Sequence, residues 1–313
     1  MTTTLLVLAR TLHVGSAMLL VALPYFMLVV LRPVFMAGAD AGYAPFCRCI
    51  VRWLWIAFAV EAVSGFAWFW LVTAQMSDEL PWGLLSADEL KTVLWQTDFG
   101  RLWMARTAVG IALGMLLLFV SRQKADALLR PSPSSGFFFA VGSVLLLTLA
   151  WAGHAASGIH FHSLHLAADA LHLFIGAIWP VSLAPMAAFL WHLHRHRPLA
   201  PAGREITALQ RFSRINLVAV LLLVATGIIN ALLMIGSWAD LVTTPYGWLL
   251  TAKVAVVLLM IGLGAYNRFR LLPHLPADPT LFRSLRRTVL TETLLAVVVL
   301  LIVGTMGMTA PPG

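Results

Sequence analysis

The chain has 313 residues, 60% hydrophobic and 11% charged, with a formal net charge of +8. Soluble domains carry about 25% charged residues, so an ordinary water-soluble globule is excluded. A basic balance could suit nucleic acid, but the placement of the charges along the chain argues for a membrane instead.

A hydrocarbon core of about 30 Å needs about 20 apolar residues, each adding about 1.5 Å. Eight stretches meet that demand: roughly Leu5–Leu31, Arg52–Thr73, Leu102–Val120, Phe137–Trp151, Leu166–Leu190, Arg214–Ile235, Trp248–Tyr266 and Thr288–Gly304. The fourth is short and extends through Ala155. None shows the ten-residue alternation of a barrel strand. The expected fold is an all-α membrane protein of about eight transmembrane helices, a single membrane domain over 1–313. The first apolar run is too long for a signal-peptide core and has no basic flank, so no separate secretory signal is expected. Between the second and third stretches, about Ala74 to Gly100 has room for one short amphipathic helix.

The loops alternate in charge. Arg32, Arg48 and Arg52 follow the first stretch, and Arg122, Lys124 and Arg130 the third. Arg195, Arg197, Arg204, Arg211 and Arg214 follow the fifth; Arg268, Arg270, Arg283, Arg286 and Arg287 follow the seventh. Asp78, Glu79, Asp88, Glu89, Asp98 and Asp240 lie in the intervening loops. Basic side chains stay cytoplasmic during insertion. Both termini are therefore expected outside, in the periplasm of a bacterial inner membrane, with the bilayer and its anionic lipids as partners and no nucleic acid. Cys47 and Cys49 then fall in a cytoplasmic loop, where a disulfide is not expected.

The two halves resemble each other. Leu12-His13 matches Leu171-His172. Arg52 precedes Ser64-Gly65 as Arg214 precedes Thr226-Gly227. Phe99-Gly100 precedes Arg106 as Tyr246-Gly247 precedes Lys253, and Gly153-His154 corresponds to Gly307-Met308. Four such matches in chain order imply parallel repeats, about 5–156 and 164–309, around an axis along the membrane normal. His13 and His172 become symmetry mates that could face one another.

Ionisable groups inside a membrane mark a site or pathway by default. The densest run holds His154, His160, His162 and His165, followed by Asp169 and His172. At about 100° per residue, His165, Asp169 and His172 share one helical stripe. Imidazole suits copper, zinc and nickel; thioethers suit Cu(I). The candidate metal ligands are His13, His154, His160, His162, His165, Asp169 and His172. Glu61, Met306 and Met308 are candidate pathway residues, with Met76, Met104 and Met234 also toward the outer side. Glu61 must be paired, protonated or facing water, with Arg106 or Lys253 as partners, though both are expected nearer the outer surface. Glu292 is expected to pair with Arg286 or Arg287. Cys47, Cys49, His192, His194 and His196 are candidates for a cytoplasmic exit. No nucleotide-binding loop, D-K-T-G segment, H-E-x-x-H or G-x-S-x-G occurs, so neither ATP driving nor hydrolysis is indicated, and no enzyme is expected.

The run Thr244-Pro245-Tyr246-Gly247-Trp248-Leu249-Leu250-Thr251-Ala252-Lys253, ending in Asn267-Arg268-Phe269-Arg270, resembles the signature of the CopD/PcoD copper-resistance family. Arg211-Phe212-Ser213-Arg214 with Thr226-Gly227, Gly153-His154-Ala155 and Leu171-His172 followed by Trp179 resemble it too. The resemblance runs from about Arg10 to Asn267. It implies an inner-membrane protein of about eight helices that moves copper inward, beside a periplasmic carrier of the CopC type. The family often has W-x-G-G after this histidine; here Trp179 is followed by Pro180-Val181-Ser182. Copper transport through His13 and His172 is the leading expectation. A haem b held between these histidines, and a non-transporting copper sensor or assembly factor, are the alternatives.

Overall fold

The computed structural model describes residues 2–35, 41–123, 129, 133–152, 162–196, 201 and 203–312. His154 and His160 lie outside the described residues, as does the side chain of His162. Ten helices are used below: α1 (Thr3–Phe35), α2 (Ala44–Met76), α3 (Ala87–Gln96), α4 (Asp98–Ser121), α5 (Pro133–Ala152), α6 (Ser163–His196), α7 (Arg204–Met234), α8 (Asp240–Thr243), α9 (Pro245–His274) and α10 (Leu281–Met306). All but α3 and α8 are long and apolar enough to cross a membrane, eight in number. Among the described residues there is no strand.

Hydropathy sees only the apolar middle of a helix, whereas backbone hydrogen bonding carries it further. α2 begins at Ala44 rather than Arg52, and α7 at Arg204 rather than Arg214. Cys47 and Cys49 are therefore helical, not in a loop, and Cys47 is fully buried. The short helix expected after α2 is α3. Ser86 caps it: the Ser86 hydroxyl accepts from the Glu89 N–H, and the Glu89 carboxylate accepts from the Ser86 N–H. This reciprocal cap satisfies two otherwise orphaned donors.

α1 is apolar on all sides, the pattern of a helix enclosed by others. About 78% of its apolar window is buried, against 67% for α6, 17% for α7 and 11% for α9. α1 packs on α2, α5, α6 and α10, so it forms the centre with α6 beside it. Leu20, Phe26, Leu113, Phe138 and Phe189 fill the main core. The first and last helices meet at one face, where Arg10 Nη1 donates to the Gly307 carbonyl at 2.7 Å. It is called the terminal face below.

Three helices widen into π turns: α1 at Phe26–Leu31, α6 at Ala177–Val181 and α9 at Asn267–Leu271. Proline removes a backbone donor and displaces the ladder; Pro180 lies in the α6 turn, and Pro24 just before that of α1. Trp179-Pro180-Val181, part of the departure from the family's W-x-G-G pattern, lies in the α6 π turn, and Trp179 is buried there. α6 packs on α7, and α9 on α10, yet α7 and α9 scarcely touch except at the last turn of α9. A cleft separates them.

Candidate functional site

One local device occurs twice. Thr97 caps α4 by accepting from the Gly100 N–H at 2.9 Å, and Thr244 caps α9 by accepting from the Gly247 N–H at 3.0 Å. A Cβ on Gly100 would run into the Val93 carbonyl and Leu94; one on Gly247 would run into the Asp240 carbonyl and Leu241. Each glycine lets a short helix, α3 or α8, lie directly against the start of the next membrane helix. That contact sets where Arg106 and Lys253 enter the bundle.

In the first half, His13 Nδ1 lies 3.1 Å from the Glu61 carbonyl, and Nε2 lies 2.7 Å from Arg106 Nη2. Guanidinium only donates, so Nε2 must be the acceptor and Nδ1 carries the proton. The imidazole is neutral, with its lone pair aimed at Arg106. Arg106 also reaches Glu61 Oε1 at 3.5 Å, the Leu145 carbonyl at 2.8 Å and Thr148 Oγ1 at 2.5 Å. Glu61 Oε1 stands 3.7 Å from His13 Nε2. Trp68 and Trp103 close on the ring at centroid distances of 5.5 and 5.4 Å. Gly65 admits the ring, since a Cβ there would lie 2.9 Å from His13 Cε1. This is a buried, tightly held charge cluster. Arg106 is buried inside the bundle.

The second half repeats the arrangement loosely. His172 Nδ1 is 2.9 Å from Thr226 Oγ1, and Nε2 is 3.5 Å from Lys253 Nζ. The ammonium likewise only donates, so here too the Nε2 lone pair faces a cation. Gly227 makes room for the ring, with a Cβ 3.2 Å from Cε1. Asp169 interacts electrostatically with Lys253, and Asn230 Nδ2 lies 3.5 Å from Asp169 Oδ1. Among the described residues, no tryptophan ring stacks on His172 as Trp68 and Trp103 do on His13. His172 opens instead onto a cavity of about 540 Å³, lined also by Asp169, Lys253, Met18, Trp179 and Met260.

Among the described residues, His13 and His172 share no hydrogen-bond partner; each is tied to its own half. His165 is buried on α6, toward the terminal face from Asp169. Met306 is buried, and Met308 packs against the cluster that contains Trp68 and Trp103. Toward the opposite face His192 is buried against Tyr43 and Phe46, and its ring stacks on His196 at 4.4 Å, while His194 is exposed. Among the described residues, no three His, Cys, Asp or Glu side chains come together as a metal-holding group. Glu292 is not paired with Arg286 or Arg287: it accepts from Asn267 Nδ2 at 2.5 Å, while the Arg286 guanidinium lies over Trp191. Sequence reasoning missed Met18 and Met260, which read as lipid-facing or core residues on apolar helices. Only the packing places them on a cavity with a histidine.

Comparison with known proteins fits this picture. Residues 206–306 match the family described as copper resistance protein D, and residues 1–161 match the copper resistance protein D-like N-terminal domain. Copper resistance protein D of Pseudomonas syringae pv. tomato is 30% identical over 249 residues, 77% of each chain. Inner membrane protein YebZ of Escherichia coli is 31% identical over 191 residues, 58% of each chain. Copper transport protein CutJ of Bacillus subtilis is 26% identical over 208 residues, 66% of this chain and 35% of that protein. No solved structure matches. With eight membrane-length helices and both of its halves matched, the chain is a multi-pass inner-membrane protein of the copper resistance protein D family.

Proposed function

We propose that this protein moves copper from the periplasm to the cytoplasm, taking it up at the cavity between α7 and α9. The observation that carries this reading is the wall of that cavity, whose lining includes His172, Asp169, Met18 and Met260. Neutral imidazole and thioether are the donors that suit Cu(I), and Cu(II) accepts imidazole and carboxylate. Lys253 holds the place of the ion: a copper cation arriving at Nε2 displaces an ammonium that sits 3.5 Å away. The two halves are a duplicated unit in which the first copy, with His13 locked by Arg106 and two tryptophans, holds the fold, and the second keeps the working site. The basic loops support placing both termini in the periplasm. There His154, His160 and His162 would receive copper from a carrier of the CopC type.

A haem between His13 and His172 finds no support in the geometry, because each Nε2 already faces its own cation and the rings have separate surroundings. A sensor or assembly role is separated from transport by flux. The test is the copper content and absorbance spectrum of detergent-purified protein, followed by copper uptake into proteoliposomes. His172→Ala should lose bound copper and uptake, whereas His13→Ala should lose stability first. Copper binding and uptake undiminished in His172→Ala would refute the proposal. A Soret band lost in either variant would establish haem instead.

A further inference from the structure

The cleft between α7 and α9 continues past the His172 cavity. Trp179 and Ile261 line that cavity and also a second one, about 150 Å³, further from the terminal face. Its polar lining is Ser213, Asn216, Asn267, Arg268 and Glu292. Polar groups at this depth are costly unless satisfied or used. Arg268 Nη1 donates to Ser213 Oγ at 2.9 Å, and Asn267 Nδ2 donates to Glu292 Oε1 at 2.5 Å. The Thr288 hydroxyl lies 2.5 Å from Asn267 Oδ1. Two features remain. Glu292 is only 2% exposed and, among the described residues, has no ion-pair partner. Asn216, 8% exposed, has an Oδ1 acceptor with no hydrogen-bond donor among the described residues. Both residues line the same cavity; a buried carboxyl without an ion-pair partner avoids a desolvated charge by keeping its proton.

The surrounding elements carry many charged and titratable groups, most of them away from this cavity. α9 brings Lys253 to the first cavity, and Arg268, Arg270 and His274 to its far end. α7 brings Arg204, Glu205, Arg211 and Arg214; α6 brings His165, Asp169, His172, His192, His194, Arg195 and His196; α1 brings Arg10, His13 and Arg32; α10 itself carries Arg283, Arg286 and Arg287. Of all these, only Arg268 lines the Glu292 cavity.

We propose that Glu292 is a proton-carrying station coupled to ion movement along the α7–α9 cleft. It holds a proton while the His172 cavity is empty and gives it up when a cation enters. The carboxylic acid becomes carboxylate plus a proton that leaves toward the opposite face, so the incoming cation replaces the proton's charge. Exchange is favoured over joint occupancy because the carboxylate left by the departing proton attracts the incoming cation across a low-dielectric cleft, whereas the neutral acid does not. This inference rests on the copper reading above.

The experiment is a titration of the detergent-purified full chain with Cu(I), supplied as its acetonitrile complex, in weak buffer containing a pH indicator. Bound copper is measured in parallel. Wild type should release about one proton per copper ion bound. Glu292→Gln, fixed in the neutral state, should still bind copper but more weakly, because linkage is reciprocal, and should release no proton, and Glu292→Asp should restore release. Proton release in Glu292→Gln equal to wild type would assign the proton elsewhere, Lys253 first, and overturn the inference. So would copper binding by wild type without release, or loss of copper binding in Glu292→Gln. Undiminished binding in His172→Ala would overturn the copper reading itself, and this inference with it.

Discussion

Alanine at Gly65 and at Gly227 should have opposite consequences, although the sequence places the two glycines equivalently. At Gly65 the new Cβ would lie 2.9 Å from His13 Cε1, about half an ångström inside an ordinary contact. The ring cannot back away. Trp68 and Trp103 flank it, Nδ1 is tied to the Glu61 carbonyl and Nε2 to Arg106. Relief requires overpacking strain of about 1–3 kcal/mol, plus loss of a charge-assisted bond of about 1.5–3 kcal/mol. Against this stands about 1 kcal/mol of helix propensity gained by Gly→Ala. The net loss is about 3 kcal/mol, or about 100-fold in the folding equilibrium. At Gly227 the contact is 3.2 Å, and His172 has a cavity of about 540 Å³ beside it. A shift of a few tenths of an ångström relieves it, so the strain and the propensity gain roughly cancel, within about 1 kcal/mol. Detergent-micelle unfolding followed by circular dichroism measures both. Equal destabilisation by the two substitutions would refute the contrast between a locked and an open histidine site.

Arg106→Met should destabilise by about 3–5 kcal/mol, because it leaves Glu61 buried without its cation, and the same unfolding assay checks it. Gly100→Ala and Gly247→Ala should each dislodge the preceding short helix, since backbone atoms block the Cβ; limited proteolysis of the segments around α3 and α8 should quicken. The Glu89 carboxyl is held below its ordinary value by the Ser86 hydroxyl and then the Ser86 N–H. Its contribution to α3 is thus complete above the unfolded carboxylate value of about 4.3 and fades as pH falls through the lower folded one. Amide exchange in α3 should rise in that acidic window for wild type, and Glu89→Gln should flatten the dependence. Asn267→Leu removes the donor to Glu292 and should cost about 1–3 kcal/mol in unfolding measurements.

Composition and the spacing of apolar runs determined the membrane class, the eight helices and their order. The reason is that lipid offers backbone groups no partner, so each crossing must be a helix of predictable length. The short helix α3 was expected only from the room between Ala74 and Gly100; the Ser86–Glu89 cap that starts it is a local device. The family was legible in the run from Thr244 to Lys253, and the tertiary structure shows why that run is recognisable. Thr244 caps α9, Gly247 admits α8, and Lys253 reaches His172. Helix ends were less legible, because Cys47 and Cys49 continue a helix that hydropathy alone stops short of.

What the sequence could not decide was which buried groups meet. Identical spacing placed His13 and His172 as equals, but a ring's freedom depends on side chains from other helices. Trp68 and Trp103 crowd the first; Met18, Trp179 and Met260 surround an open space at the second. Glu61 was expected beside Arg106 or Lys253 and Glu292 beside Arg286 or Arg287; the first does find Arg106, whereas the second accepts from Asn267 instead. Periodicity fixes the direction a side chain takes from its own helix. Its partner depends on how the helices pack, and the poor contact between α7 and α9 is a property of the assembled bundle alone.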